Sequence, residues 1–352
     1  MNKNKRLLVM AGGTGGHVFP AIAVVKTLQQ QGWEICWLGT KDRMEAQLVP
    51  QQGIPIQFIQ VSGLRGKGLG SLLSAPFMIM RAVAQAYKII KDYRPNAVLG
   101  MGGYVSGPGG IAAKLCGVPI ILHEQNAVAG LTNKWLAKIA TSVLQAFPTA
   151  FVNATVVGNP VRQEFFQIVE PELRFNQRNG KLRVLVVGGS QGARVLNRIL
   201  PKAIAKMTEH PEIRHQVGKG ALEEVKHLYS EHGINATVME FIDDIAQAYA
   251  WADIVICRSG ALTVCELAAV GVPAIFVPFQ HKDQQQYLNA KYLADTGAAK
   301  IILQSELRED TLVELLTEFN RNILKDMAVN AKKMSMPFAA QSVADIIIDK
   351  AL

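Results

Sequence analysis

At 352 residues the chain is too long for one ordinary hydrophobic core, and two domains are the natural arrangement. Hydrophobic residues make up 49% and charged residues 18%, the composition of a soluble globular protein. A net charge of +9 favours anionic partners, but there is no Lys/Arg block and no basic stretch interleaved with aromatics, which argues against nucleic acid.

The N-terminus, MNKNKRLLVMAGG, begins like an export signal, but its apolar stretch breaks at once into glycines, which argues against export. No continuous apolar run approaches the ~20 residues a membrane-spanning helix needs. The cysteines, Cys36, Cys116, Cys257 and Cys265, form no CxxC pair, and each lies in an apolar segment. They read as buried reduced thiols.

In chain order, residues 5–28 (KRLLVMAGGTGGHVFPAIAVVKTL) run from a basic start through a short apolar strand and a glycine loop into a helical pattern. Strands then follow at 33–39, 96–103 and 118–124, with helices at 42–52, 108–116 and 130–139. SVLQAF and ATVVG are two short closing strands. Asn159-Pro160 breaks the pattern, and a helix starts after it. Residues 181–204 (KLRVLVVGGSQGARVLNRILPKAI) repeat the opening pattern. RHQVG, ATVMEFI, ADIVICR and PAIFVPF are strands, the last three followed by helices beginning near Asp243, Gly260 and Asp283. After Met336-Pro337 a last amphipathic helix closes the chain. The expected architecture is α/β, with two Rossmann-like parallel-sheet domains, 1–160 plus 338–352 and 161–337. Their loops at 12–17, 103–109, 124–130, 188–192, 258–263 and 280–286 should face a central cleft.

Neither glycine loop binds a dinucleotide on its lettering. Val18 stands where the third glycine of GxGxxG belongs, and the second strand ends in Leu38-Gly39 without a ribose-binding acid. Nor is there a GK[ST] triphosphate loop. Glycine loops at helix N-termini still offer free N–H groups and a dipole to phosphate, and Gly188-Gly189-Ser190 and Ser259–Thr263 are candidates. Glu266, in an otherwise apolar helix, either caps or accepts from ribose hydroxyls. HEQN (123–126) sets four polar residues after an apolar strand, and QHKDQQQY (280–287) carries amides suited to sugar hydroxyls. Asp243-Asp244 reads as a helix cap. With no DxD, HExxH or Cys/His cluster, a bound metal is not expected.

The strings GGTGGHVFPA, SGLRGKG, GMGGYVSGPGG, HEQN with GLTNKWLAKIA, VVGNPVR, VVGGSQGA, RSGALTVCELAA and PFQHKDQQQYLNA run in order across nearly the whole chain. Together they closely resemble the peptidoglycan N-acetylglucosaminyltransferases that form lipid II. The resemblance implies the GT-B fold and an inverting, metal-independent transfer. GlcNAc would pass from UDP-GlcNAc to the 4-hydroxyl of MurNAc-pentapeptide on undecaprenyl diphosphate, with UDP-GlcNAc as donor substrate and no cofactor. It also implies work at the cytoplasmic face of the bacterial plasma membrane beside other cell-wall synthesis proteins. The family's donor contacts fall on Thr14, Gly15, Gly16, Asn126, Arg162 and Ser190. Ile242 would meet uracil through its backbone. Ala261, Leu262, Thr263, Val264, Cys265 and Glu266 would run from phosphates to ribose, with Gln285 and Gln286 on the sugar. His17 is the candidate general base, since histidine as a residue type suits proton transfer at neutral pH, with Glu124 the rival.

A lipid-linked acceptor requires an anionic membrane surface as partner. In 64–94, Leu73, Phe77, Met80 and Tyr87 form one helical stripe and Leu72, Ile79, Val83, Ala86 and Ile90 another, surrounded by Arg65, Lys67, Arg81, Lys88 and Lys91. One stripe should be core; the other, ringed by bases, suits an interfacial helix. A UDP-sugar epimerase of the same fold would need no lipid acceptor, and a non-catalytic UDP-sugar-sensing scaffold would not need His17.

Overall fold

The computed structural model describes residues 5–61, 69–189 and 192–352, without the side chains of 69–74. The chain divides into two compact units, Met1–Arg162 with Met336–Leu352, and Gln163–Ser335. The first border thus falls after Arg162 rather than Pro160, and the second before Met336 rather than Phe338.

In the first unit β1 (Arg6–Ala11), α1 (Gly15–Gln30), β2 (Glu34–Gly39), α2 (Glu45–Gln51), β3 (Ile56–Phe58), α3 (Leu69–Tyr93), β4 (Ala97–Gly102), α4 (Ser106–Leu115), β5 (Ile120–Glu124), α5 (Leu131–Leu136), β6 (Ser142–Gln145) and β7 (Thr155–Val156) follow one another. The strands pair in parallel in the order β3-β2-β1-β4-β5-β6-β7. Near-continuous apolar runs such as RLLVMA and EICWLG bury both faces, as a parallel sheet with helices on each side requires.

The second unit opens with a 3₁₀ turn, Gln163–Gln167, and α6 (Pro171–Asn176). It continues through β8 (Arg183–Val187), α7 (Arg194–Ala205), β9 (Glu212–Gln216), α8 (Leu222–Glu231), β10 (Ala236–Met239), α9 (Ile245–Trp251), β11 (Ile254–Cys257), α10 (Ala261–Val270), β12 (Ala274–Phe276), α11 (Gln285–Ala294), β13 (Ala299–Ile301), α12 (Glu309–Glu318) and α13 (Arg321–Lys333). Its parallel order is β10-β9-β8-β11-β12-β13. Both sheets follow the 3-2-1-4-5-6 winding of a nucleotide-binding fold, so each reverses direction beside its first strand: between β1 and β4, and between β8 and β11.

The last helix, α14 (Ala339–Lys350), rejoins the first unit. Ala340, Val343, Ala344 and Ile347 bury against a core that includes Val18, Ala21 and Val25 of α1. The Leu352 amide donates to the Asn96 carbonyl, and Asn96 Nδ2 donates back to the Leu352 carbonyl.

Several elements depart from the sequence reading. β3 and β13 have three residues each, too few for an alternation to show. The helices read at 42–52 and 130–139 shorten to α2 and α5. The four cysteines are free, but only Cys36 and Cys257 are buried. Cys116 caps the end of α4, and Cys265 lies on the outer side of α10, so both keep some exposure.

One fully buried histidine in each unit links fold to pH. His123 on β5 and His215 on β9 are 0% exposed. His215 meets the Tyr229 hydroxyl and Asn197 Oδ1, and His123 Nε2 meets the Gly158 carbonyl. Burial pushes His215 down to about 3 and, against the Gly158 carbonyl and the nearby Glu124, His123 down to about 4. Unfolding releases both to titrate near 6.5, so between that pH and about 4 the unfolded chain binds more protons. Stability is therefore full above pH 6.5 and declines as pH falls towards 4. Denaturation at pH 7 and pH 5 should show a lower unfolding midpoint at pH 5, and His215→Gln should flatten the slope. A midpoint that rose on acidification would contradict this.

Candidate active site

In the first unit the site grows from the loop between β1 and α1. Gly13 has φ +91°, a left-handed conformation costly for any residue with a Cβ. The loop is fastened from beneath by Glu45, a carboxylate with no exposed surface. Glu45 Oε2 accepts the Gly13 amide at 3.0 Å, and Oε1 accepts the Thr40 amide at 3.1 Å and the Thr40 hydroxyl at 2.8 Å. A Cβ on Gly12 would stand 2.6 Å from Glu45 Oε1, and one on Gly103 would stand 2.3 Å from the Gly12 carbonyl. The loops after β1 and β4 therefore meet backbone to backbone at the reversal of strand order, where open α/β sheets bind ligands.

His17 lies in the first turn of α1, partly exposed. Its ring rests on Gly102: a Cβ there would come within 2.8 Å of His17 Cε1 and 2.9 Å of Nδ1. His17 Nδ1 is 2.9 Å from Oε1 of the buried Gln125. Thr14 is exposed and caps α1 without a side-chain bond, and Gly15 and Gly16 open the helix. Arg162 sets its guanidinium 5.6 Å from the centre of the Phe19 ring.

Glu124 is 1% exposed and fully engaged. Oε1 accepts the Asn126 amide (3.0 Å) and Asn126 Nδ2 (3.1 Å). Oε2 accepts the Gly130 amide (3.1 Å) and Asn133 Nδ2 (2.8 Å). Four N–H donors occupy the acceptor positions of a carboxylate, so Glu124 organises the 125–133 loop, and its geometry opposes the base role considered for it.

In the second unit Gln216, at the end of β9, clamps the glycine loop after β8. Its Oε1 accepts the Gly189 amide at 2.9 Å, and its Nε2 donates to the carbonyls of Gly189 (3.1 Å) and Glu240 (2.8 Å). Ser190 lies outside the described residues. Across the strand reversal, α10 starts at Gly260 with no side-chain cap and no acid in its first turn. The fully buried Ser259 donates its hydroxyl to the Gln286 carbonyl at 2.8 Å, and Gln286 Oε1 accepts the Phe279 amide at 2.8 Å. The 280–286 loop is thereby tied to the start of α10. Gln284, just before α11, holds φ +51°, in the left-handed region that few side-chain-bearing residues adopt.

Along α10, Leu262, Thr263 and Cys265 keep some exposure, while Ala261 and Glu266 are nearly covered at 6% and 8%. Val264 departs from the sequence reading. Its side chain is 0% exposed, and its amide is bonded to the Gly260 carbonyl, so it belongs to the core. Gln285 and Gln286 begin α11, partly exposed. Ile242 lies partly exposed in the loop after β10, and Asp244 rather than Asp243 caps α9, accepting the Gln247 amide at 3.0 Å.

On α3 the buried face is Ala82, Ala86 and Ile90, while Phe77 is 75% and Met80 57% exposed. Ile79, assigned to the second stripe, faces outward with them, as do Arg81 and Lys88. The side chain of Leu72 lies outside the described residues. α3 packs on α4, and α4 on α5, whose Leu115, Leu131 and Trp135 are also exposed. Sequence reasoning missed these last three, because single exposed apolar residues on separate short helices form no periodic signal. It also missed Glu45 and Gln216, polar residues whose partners are backbone groups distant in sequence.

Two family models match the chain: the glycosyltransferase family 28 N-terminal domain at residues 7–145 and the family 28 C-terminal domain at 183–347. The chain belongs to glycosyltransferase family 28. Among its relatives is the UDP-N-acetylglucosamine–N-acetylmuramyl-(pentapeptide) pyrophosphoryl-undecaprenol N-acetylglucosamine transferase of Mannheimia succiniciproducens, 71% identical over 100% of both chains. The protein of the same name from Pasteurella multocida is 72% identical over 99% of this chain and 98% of its own. The crystal structure of Acinetobacter baumannii MurG superposes with a TM-score of 0.87 at 44% identity, covering 98% of this chain and 99% of that one. This family 28 enzyme therefore carries the GT-B arrangement of two Rossmann-like domains expected from its sequence.

Gly102 provides a test of the His17 seat. Gly102→Ala adds a Cβ where the imidazole now lies, at φ +102°. If His17 takes part in the reaction, displacing it by about 1 Å can cost on the order of 10²-fold in rate. The variant should lose turnover on that order while keeping its circular dichroism spectrum. Wild-type turnover would show that the seat is immaterial.

Proposed function

We propose that the enzyme transfers GlcNAc from UDP-GlcNAc to the 4-hydroxyl of MurNAc-pentapeptide carried on undecaprenyl diphosphate, with inversion and without a metal. The observation that carries this reading is identity of 71% over the whole of both chains with a transferase of that name. In the reaction the acceptor oxygen forms a bond to C1 of GlcNAc. The C1–oxygen bond to the β-phosphate breaks, and UDP leaves with the electron pair. His17 takes the acceptor proton. The donor's diphosphate is held by the loop containing Ser190 and by the N-terminal turn of α10, where backbone N–H groups and the helix dipole favour anions. Glu266 accepts from the ribose hydroxyls, Ile242 meets uracil through its backbone, and Gln285 and Gln286 read the sugar. Gln286 spends its oxygen on the Phe279 amide, which turns its amide nitrogen to that task. Thr14, Gly15, Gly16, Asn126 and Arg162 complete the donor contacts. Glu124 stays out of proton transfer because its oxygens are already bonded.

The test is transfer of labelled GlcNAc from UDP-GlcNAc to a lipid I analogue in excess EDTA. Label in a lipid-linked disaccharide is expected, and His17→Ala should lower kcat by about 10²–10⁴-fold, the usual contribution of a placed base. Binding of UDP-GlcNAc without transfer, or release of an epimerised UDP-sugar, would overturn the reading. Loss of activity in EDTA alone would overturn its metal-independent part.

A lipid-linked acceptor must be met at a bilayer. Among the described residues no helix is long and apolar enough to cross a membrane. We infer peripheral attachment to the cytoplasmic face of the plasma membrane through Phe77, Ile79 and Met80, extended by Leu115, Leu131 and Trp135 and rimmed by Arg81 and Lys88. Other cell-wall synthesis proteins would share that surface. Removing two large apolar groups from such a face costs about 1.5 kcal/mol or more. Phe77→Ser with Met80→Ser should thus weaken binding to anionic vesicles about tenfold or more in flotation assays, while soluble-acceptor turnover holds. Unchanged binding would place the attachment elsewhere.

A further inference from the structure

The contact between His17 and Gln125 admits one assignment of hydrogens. Gln125 Nε2 lies 3.2 Å from the backbone carbonyl of His123 and 3.1 Å from His123 Nδ1. A carbonyl oxygen only accepts, so the amide nitrogen must face it; the opposite rotamer would set two acceptors against each other. The far side of the network agrees. His123 Nε2 is 2.9 Å from the Gly158 carbonyl, so that nitrogen carries the ring hydrogen. The ring is kept neutral by burial, its pKa pushed down to about 4. His123 Nδ1 is then a lone pair that needs the donor Gln125 supplies.

With its nitrogen committed, Gln125 turns Oε1 to His17 Nδ1 at 2.9 Å. An amide oxygen only accepts. His17 Nδ1 therefore holds the hydrogen, and the neutral ring carries its lone pair on Nε2. We propose that Gln125, backed by His123 and the Gly158 carbonyl, is a positioning residue that locks His17 in the Nδ1–H tautomer and so presents Nε2 as the basic atom. This rests on the reading of His17 as base, and it deepens that reading by naming the reacting nitrogen and what selects it. Orienting a catalytic imidazole from its second nitrogen is the logic of the serine-protease triad, where the wrong tautomer costs ~10⁴-fold in kcat. A neutral amide is a weaker orienter than a carboxylate, so a smaller effect is expected here.

The experiment uses the full-length enzyme labelled with ¹⁵N-histidine. Long-range proton–nitrogen correlation spectra are recorded where His17 is neutral, and its signals are assigned by their loss in His17→Ala. A protonated, pyrrole-type Nδ1 and a pyridine-type Nε2 are expected for His17. Gln125→Met keeps the length of the side chain and removes the acceptor. It should shift His17 towards the Nε2–H form and lower kcat about 10- to 100-fold, with the KM for UDP-GlcNAc unchanged. An Nε2–H tautomer in the wild-type spectrum would overturn the proposal without any variant having to fold. So would a Gln125→Met enzyme that keeps both the Nδ1–H signature and full kcat, or one whose kcat falls with the tautomer unmoved. Normal turnover in His17→Ala would instead defeat the base reading, and the wild-type spectrum would still decide whether Gln125 sets the tautomer.

Discussion

Buried polar side chains that hydrogen-bond to backbone groups are the constraint on which the rest depends. Each functional loop leaves the end of a parallel strand, where the ladder no longer satisfies its amides, and a buried unsatisfied amide costs about 1–3 kcal/mol. Glu45 satisfies Gly13 and Thr40, Glu124 satisfies Asn126 and Gly130, Gln216 satisfies Gly189, and Ser259 with Gln286 joins α10 to the loop before α11. None of these groups needs to touch a substrate to matter. They fix loops that carry few side chains of their own, because glycines are required where backbones approach as closely as Gly103 and Gly12 do. Asp253 does comparable work away from the site. Its carboxylate, fully buried, accepts the Arg183 amide at 2.9 Å and pairs with Arg178 and Arg321, tying the start of β8 to its neighbours.

The alternation of apolar strands with glycine-broken helices was legible in the sequence because buried parallel strands are long apolar runs, and 5–28 and 181–204 repeat one pattern. What was not legible is instructive residue by residue. β3 and β13 are edge strands of three residues, held by register with β2 and β12 rather than by any pattern of their own. On α3 the sequence showed two apolar stripes but not which one was core. The small residues Ala82 and Ala86 pack inward because α4 approaches closely, and the bulky Phe77 and Met80 are left outside.

The candidate site divides the same way. His17 and Glu266 stood out as polar residues in glycine-rich or apolar surroundings, Glu124 and Gln286 as members of the polar stretches HEQN and QHKDQQQY. Their roles did not, because a role depends on what fills each lone pair. HEQN reads as four similar polar residues. In the structure His123 and Gln125 form a chain ending on His17, Glu124 is saturated by four donors, and only Asn126 is partly exposed. Val264 shows the converse: it lies between Thr263 and Cys265, which keep some exposure, yet helical periodicity turns it into the core.

The two sheets share one winding but fasten their first loops with groups of different charge, and this bears on which loop suits a diphosphate. In the first unit the fastener is the carboxylate of Glu45, buried beneath Gly13. In the second it is the amide of Gln216, and neither α7 nor α10 has an acid in its first turn. Two unit negative charges about 8 Å apart in an effective dielectric of about 20 repel by about 2 kcal/mol. A helix N-terminus contributes attraction of similar size, up to about 2 kcal/mol in a partly buried setting. A carboxylate under the first loop can therefore cancel much of what its helix offers an anion, while the second unit leaves the attraction of α7 and α10 intact. That difference favours the second unit for the donor's diphosphate. It leaves the first loop suited to a different task, holding His17 against Gly102 beside a neutral amide network.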